Sequence, residues 1–96
     1  MAHYLTLFKF RGEVKGGGAE RYKIFKGIAE EQGGKIVYFG GLMGQYDVMT
    51  VTDYPNLKSA MLATARIGNL INAWPETHPI LEESAFLDLL AQTPRT

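Results

Sequence analysis

The 96-residue chain has the length of one small domain, and its ten basic residues balance its ten acidic residues. This balance argues against nucleic acid as a partner, because such binding depends on a concentrated basic patch. The absence of cysteine excludes disulfides and thiolate chemistry, and no apolar run approaches the roughly 20 residues that span a bilayer. With no signal-peptide pattern at the N-terminus, we expect one soluble cytoplasmic domain over residues 1–96 that uses no membrane partner.

The first half of the chain predicts a strand, a helix and a second strand. Residues 3–10 are rich in β-forming and aromatic side chains, which is typical of a strand. Residues 15–18 form a glycine-rich connector whose spacing fits neither a Walker motif nor a dinucleotide-binding motif. A helix then begins near Ala19 and ends at Gly33-Gly34, and the second strand spans 35–41. The inner side of this helix is expected to hold Tyr22, Phe25, Ile28, Ala29 and Gln32.

The second half predicts a strand, a helix, a strand and a short terminal helix. The third strand covers residues 46–52, and the second helix begins near Pro55 with Asp53 as its candidate cap. The fourth strand spans residues 72–81, and its two prolines predict a position at a sheet edge, since proline donates no ladder hydrogen bond. The third helix covers residues 82–92. The inner side of the second helix is expected to hold Leu57, Ala60, Met61, Thr64, Ile67, Gly68 and Ile71. The inner side of the third helix is expected to hold Phe86, Leu89 and Leu90.

This order of elements, βαββαβ with a short C-terminal helix, predicts an α+β ferredoxin-like two-layer sandwich with an antiparallel four-stranded sheet. Both main helices would cover one side of the sheet. We expect the side beneath them to hold Leu5, Leu7, Met49 and Val51. The uncovered side would then hold Tyr4, Thr6, Phe8, Phe10, Tyr46, Val48 and Thr50. Because an exposed surface this aromatic usually marks an interface, we expect a homo-oligomer, either a dimer or a multiple of dimers. A small-molecule pocket would then lie between the stacked sheets.

A family resemblance supports the same architecture. The residues that carry it are Gly33-Gly34-Lys35-Ile36-Val37, Met43-Gly44-Gln45-Tyr46-Asp47-Val48, Pro55, Gly68, Asn72 and Glu76-Thr77. In this pattern, of which Gly44-x-Tyr46-Asp47 is the most specific part, the chain resembles GYD-domain proteins. The resemblance implies a ferredoxin-like fold paired into a dimeric α/β barrel. Gly40, Gly41, Ile71, Trp74 and Pro75 depart from the family pattern beside the expected cavity.

Two functions from different classes remain open. The first is an oligomeric small-molecule-binding or assembly domain whose pocket is lined by Thr6, Tyr46, Asp47, Asn72 and Trp74. The alternative is an enzyme of the dimeric-barrel type, a cofactor-independent isomerase or monooxygenase in which His78 or Asp47 is the base. An accessory subunit that meets a different protein is a third reading.

Each candidate residue also has a structural interpretation. Asp47 could bond backbone amides of the turn that follows Gly44, and Trp74 could anchor an interface. His78 could be a surface histidine, although the period of two places it beside Glu76 on the same side of the strand. The two histidines of the chain lie far apart in sequence and have no third ligand at a fixed spacing, so no metal and no cofactor are expected.

Overall fold

The elements follow the predicted order. The computed structural model describes residues 2–13 and 17–93, so residues 15 and 16 of the glycine-rich connector at 15–18 lie outside the described residues. The elements are β1 (Ala2–Phe10), α1 (Gly18–Glu31), β2 (Lys35–Gly41), β3 (Val48–Tyr54), α2 (Leu57–Ile71), β4 (Ala73–Pro79) and α3 (Glu83–Gln92).

The four strands form one antiparallel sheet in the order β2-β3-β1-β4. The α+β architecture, with β1 and β3 in the centre and α1 and α2 packed against the sheet, is compatible with a ferredoxin-like fold. The prediction that β4 lies at an edge is confirmed.

The prolines of β4 fall where the ladder does not need their amides. The amide of Ile80 donates to the carbonyl of His3 at 2.9 Å, so His3 and Ile80 form a hydrogen-bonded pair of the antiparallel ladder. Hydrogen-bonded pairs alternate along such a ladder, so the backbone groups of Pro75 and Pro79 point toward the free edge. There the missing N–H costs no ladder bond, and it also removes two donors that another strand could use.

Two helix ends illustrate how the local sequence sets the boundaries. The amides of Gly33 and Gly34 donate to the carbonyls of Glu30 and Ala29, with Gly33 at a φ of +76°, which confirms the predicted glycine termination of α1. Helix α2 begins at Leu57, close to the predicted start near Pro55, but the predicted cap at Asp53 is wrong. Its cap is Asn56, whose Oδ1 accepts a hydrogen bond from the Ser59 amide at 2.8 Å, because Asp53 is still paired within β3.

The structure reverses the predicted orientation of the sheet. The side that faces the helices holds Tyr4, Thr6, Phe8, Thr50, Thr52 and Tyr54, each at most 5% exposed. Phe10 and Val48 also pack against this core. The expectation that Leu5, Leu7, Met49 and Val51 lie beneath the helices is wrong, since these residues alternate to the opposite side, where they are half-buried.

The reason for the reversal is the size of the helix residues. The helices present several small residues toward the sheet, namely Ala29, Ala60, Ala63 and Gly68. Large rings from the strands fill the space that these residues leave. The ring of Phe8 packs edge-on against Phe25 with centroids 5.0 Å apart, and Phe25 in turn lies 4.9 Å from Phe39. Burial also raises the pKa of the Tyr54 phenol to about 12.

The predicted inner sides of the helices are partly correct. Phe25, Ile28 and Ala29 of α1 are buried as expected, and so are five of the seven residues predicted for α2. Leu57 and Met61 are exposed instead, and Ala63 takes a core position. The prediction for α3 is wrong. Phe86, Leu89 and Leu90 are each about half exposed, because α3 leaves the end of β4 and makes no extensive contact with another described element.

Two glycines provide a matched test of this packing. A Cβ added at Gly34 would lie 2.6 Å from the Tyr54 ring and 2.7 Å from the backbone oxygen of Asp53, so Gly34→Ala should destabilise the fold by about 1–3 kcal/mol. Gly27 lies within α1 with no atom near its missing Cβ, so Gly27→Ala should stabilise the fold by about 0.5–1 kcal/mol. Urea unfolding of both variants measures the difference. Equal effects of the two substitutions would contradict the close contact between Gly34, which follows α1, and the end of β3.

Candidate functional site

The side of the sheet opposite the helices is apolar and, within the described residues, uncovered. We call it the open face. Its members come from all four strands by alternation and register, and they are Leu5, Leu7, Tyr38, Met49, Val51, Trp74, Glu76 and His78. The central members are aliphatic, the Tyr38 ring lies against Gly40, and the polar members come from β4. The open face therefore joins an apolar floor to a polar rim.

Three side chains form a hydrogen-bonded group on this rim, the Tyr46–Glu76–His78 cluster. The Tyr46 hydroxyl donates to Oε1 of Glu76 at 2.9 Å, and Nε2 of His78 lies 2.7 Å from Oε2 of the same carboxylate. Glu76 and His78 are two residues apart on β4 and so share a side of the sheet. Tyr46 comes from the connection between β2 and β3, 30 residues earlier in the chain.

The electrostatics of the cluster favour an ionised carboxylate. The pKa of Glu76 is lowered from its ordinary value, first by the hydrogen bond from His78 and then by the one from Tyr46. The pKa of the Tyr46 phenol is raised, chiefly because its proton is held by Glu76. An ionised carboxylate only accepts hydrogen bonds, so Nε2 of His78 carries a proton and Nδ1 is the ring nitrogen that faces other partners.

Asp47 ties the start of β3 to β1. Its amide donates to the carbonyl of Phe8 at 2.9 Å, and its Oδ2 accepts from the amide of Phe10 at 2.9 Å. Gly44, which begins the turn before Asp47, has a positive φ of +127°, a conformation that glycine adopts readily. The carboxylate of Asp47 therefore already has a structural partner, and that partner belongs to β1 rather than to the turn.

Asn72 and Trp74 lie at the same end of the sheet as Asp47. Asn72 ends α2 in the left-handed conformation, and its amide nitrogen donates to the carbonyls of Arg11 and Glu13. Trp74 is 62% exposed and lies beneath the guanidinium of Arg11, 4.5 Å from the ring centroid. Asn72 thus holds the chain that follows β1, whereas Trp74 presents an accessible ring at the edge of the open face.

Thr6 lies on the helix side, away from the open face. Its hydroxyl is 3.2 Å from that of Thr77, which donates to Thr64 at 3.1 Å, and Thr64 donates to the carbonyl of Ala60. These hydroxyls satisfy one another in the layer between sheet and helices. Thr64 and Thr77 also line a groove of about 450 Å³ between α2 and β4.

The predicted site residues therefore do not form one group. Tyr46 and His78 meet through Glu76, which sequence reasoning had placed beside His78 but had not linked to Tyr46. That link depends on the pairing of β1 with both β3 and β4, which no local pattern reveals. A second pocket, of about 320 Å³, lies between α1 and the sheet and is lined by residues that include Arg21 and Phe39. This pocket and the groove between α2 and β4 both lie on the helix side, and neither is lined by His78 or Asp47.

Neither a metal centre nor a membrane-spanning helix is found in residues 2–13 and 17–93. No three His, Cys, Asp or Glu side chains in these ranges are placed to hold a metal ion. No helix there has both the length and the apolar character needed to cross a membrane. A comparison with protein-family models finds no match for this chain, and a comparison with curated proteins finds no significantly similar sequence. The resemblance of the Gly44–Asp47 segment to a family therefore stays a prediction.

The cluster makes a prediction about acid titration. Removing either donor, in His78→Leu or Tyr46→Phe, should raise the pKa of Glu76 toward its ordinary value. Carboxyl-detected NMR titration measures this, with Tyr22→Phe on α1 as a control that should change nothing. Because the folded-state pKa is lowered, the cluster stabilises the fold above the ordinary pKa of Glu76, and this contribution is lost as the pH falls through the folded-state pKa. A Glu76 midpoint that is the same in all four proteins would contradict the cluster.

Proposed function

We propose that this protein is a homo-oligomeric small-molecule-binding domain in which the open faces of two copies meet and enclose a ligand beside the Tyr46–Glu76–His78 cluster. The observation that carries the proposal is the position of this polar cluster at the rim of an uncovered apolar sheet. An exposed apolar surface with a polar rim is typical of an interface or a binding groove.

A second copy is the partner that the open face favours. Its centre, formed by Leu5, Leu7, Met49 and Val51, is only half-buried within one chain. Stacking two such faces would remove these side chains from water, which is worth roughly 25 cal/mol for each Å² of apolar area buried. The same stacking would place a polar cluster from each copy beside the apolar floor, so the two-fold arrangement would form two equivalent sites.

The chemistry of the cluster indicates a class of ligand. Glu76 is occupied by two donors, so the groups left for a ligand are Nδ1 of His78 and the lone pairs of the Tyr46 oxygen. With a neutral imidazole both groups accept hydrogen bonds. The ligand we propose has an apolar body, which contacts the aliphatic floor, and a hydroxyl or other donor that bonds the cluster. Trp74, with its accessible ring, would border such a site.

Membership of the GYD-domain group is part of this proposal. It is supported by the Gly44-x-Tyr46-Asp47 segment, in which Gly44 turns the chain and Asp47 ties it to β1. Tyr46 is thereby held where its hydroxyl reaches β4. The dimeric α/β barrel implied by the resemblance would use the open face as its interface.

A cofactor-independent proton-transfer enzyme is the second candidate, and one observation favours it. Glu76 is within hydrogen-bond distance of His78, at 2.7 Å, and a carboxylate in that position would stabilise an imidazolium while leaving Nδ1 to remove a proton from a substrate. The site would need the second copy to exclude water. If the bound molecule is a substrate, its reactive C–H should exchange in deuterium oxide with the wild-type protein and should not exchange with His78→Gln. A bound molecule that keeps all its hydrogens with the wild-type protein would leave only the binding function.

The interface can be tested by placing a charge in the open face. Met49→Arg puts a guanidinium between Leu7 and Gly40, so it should at least halve the mass of the assembly in sedimentation experiments at micromolar concentration. Leu70→Arg is the matched control, because Leu70 is an exposed leucine of α2 away from the sheet. A wild-type monomer, or equal masses for the two variants, would contradict the proposed interface.

Native mass spectrometry tests the ligand site separately. We expect the wild-type assembly to retain a small-molecule mass, and Glu76→Ala to lose it while keeping the same number of subunits. Retention of the same molecule by Glu76→Ala would contradict the role of the cluster.

A further inference from the structure

Helix α3 has the composition of a docking helix but makes no extensive contact with another element of residues 2–13 and 17–93. All of its residues are exposed, and they divide into two sides. Ser84, Asp88 and Gln92 form a polar stripe at intervals of four residues, while Phe86, Leu89 and Leu90 form an apolar stripe on another side. Phe86 and Leu89 are 48% and 52% exposed. A short amphipathic helix gains most of its stability by packing its apolar stripe against another surface. In a single copy of this chain, the apolar stripe of α3 is left in water.

The groove between α2 and β4 is a surface of matching character. It measures about 450 Å³ and is lined by Leu57, Met61, Ala65, Pro75 and Pro79, together with the Thr64 and Thr77 hydroxyls. A second apolar hollow shares Leu57, Met61 and Ala65 and extends over the outer side of α2 past Lys58. A concave apolar surface of this kind suits the apolar stripe of a helix.

Charge favours a second copy of this chain as the partner. Residues 67–93 contain four acidic residues, three of them at or within α3, and no lysine or arginine. Residues 1–66 contain nine basic and six acidic residues, and Lys58 lines the second hollow beside the groove. The acidic helix and the basic body are therefore complementary in charge, which steers the helix of one copy toward the body of another.

The direction of the chain makes exchange between copies the favoured arrangement. The Ile80 amide still bonds β1, and Glu82 keeps an extended conformation, so the chain continues in the direction of β4 until α3 begins. The groove lies beside the preceding part of the chain, between Pro75 and Pro79 of β4. To reach the groove of its own copy, α3 would have to turn back along β4. The helix follows the end of β4 at which Leu57 and Pro79 line the groove, so a two-fold axis near that end would let each helix enter the other groove.

We propose that α3 of each copy packs its Phe86, Leu89 and Leu90 stripe into the α2–β4 groove of a second copy, which brings the acidic residues of the helix toward Lys58. This contact is separate from the open face and does not rest on the proposed ligand site. If both contacts form, the assembly has two different two-fold interfaces, which is how a dimer becomes a tetramer.

Engineered cysteines test the exchange directly, because the natural chain has none. Protein carrying only Leu89→Cys is mixed with protein carrying only Met61→Cys under mild oxidation, and the masses of the products are measured. We expect a mixed disulfide dimer at least fivefold more abundant than the one formed when Ser84→Cys replaces Leu89→Cys, since Ser84 lies on the polar stripe. All three positions are exposed or on exposed elements, so the fold should be retained, and circular dichroism verifies this.

Each other outcome overturns the proposal. If the double variant Met61→Cys/Leu89→Cys forms its disulfide only within one chain, and no mixed dimer forms, α3 folds back into the groove of its own copy. Disulfides between two Leu89→Cys chains alone would mean that α3 pairs with α3, and no preference over Ser84→Cys would mean that α3 does not dock in the groove. Adding Met49→Arg should leave the mixed dimer intact, so a failure of the open-face interface is distinguishable from a failure of helix exchange.

Discussion

The fit between large rings on the sheet and small residues on the helices determines the rest of this structure. Alanines of α2 let this helix approach β1 and β3 closely, and the rings of Phe8 and Phe25 fill the space between β1 and α1. Once these rings are buried, strand alternation sends Leu5, Leu7, Met49 and Val51 to the other side. The open face, and the position of the Tyr46–Glu76–His78 cluster on its rim, follow from that choice.

The order of the elements and several of their ends could be predicted because they depend on local chemistry. The paired glycines after α1 and the prolines of β4 act within a few residues, and both predictions are correct. The covered side of the sheet could not be predicted in the same way. Both sides of β1 alternate with apolar residues, so a period of two describes either orientation equally well, and only the helix residues that meet the strand distinguish them.

The candidate site shows the same limit. The proximity of His78 to Glu76 follows from their spacing on one strand, whereas the hydrogen bond from Tyr46 depends on the register of three strands. Thr6, Asp47 and Asn72 are polar residues of the kind that line pockets, but here they have partners in the core and in the backbone. Whether such a residue binds a ligand or satisfies its own fold depends on contacts that are distant in sequence.

The central claim is that the even-numbered residues of β1 lie beneath the helices. Nuclear Overhauser contacts in the intact protein test this most directly, since they report which side chains are neighbours. The account predicts contacts from the Phe8 ring to the Phe25 ring and from Tyr4 to Tyr54, with none from the methyl groups of Leu5 or Leu7 to Phe25. Contacts of Leu5 and Leu7 with Phe25 and Ile28, in place of those from Phe8, would contradict it.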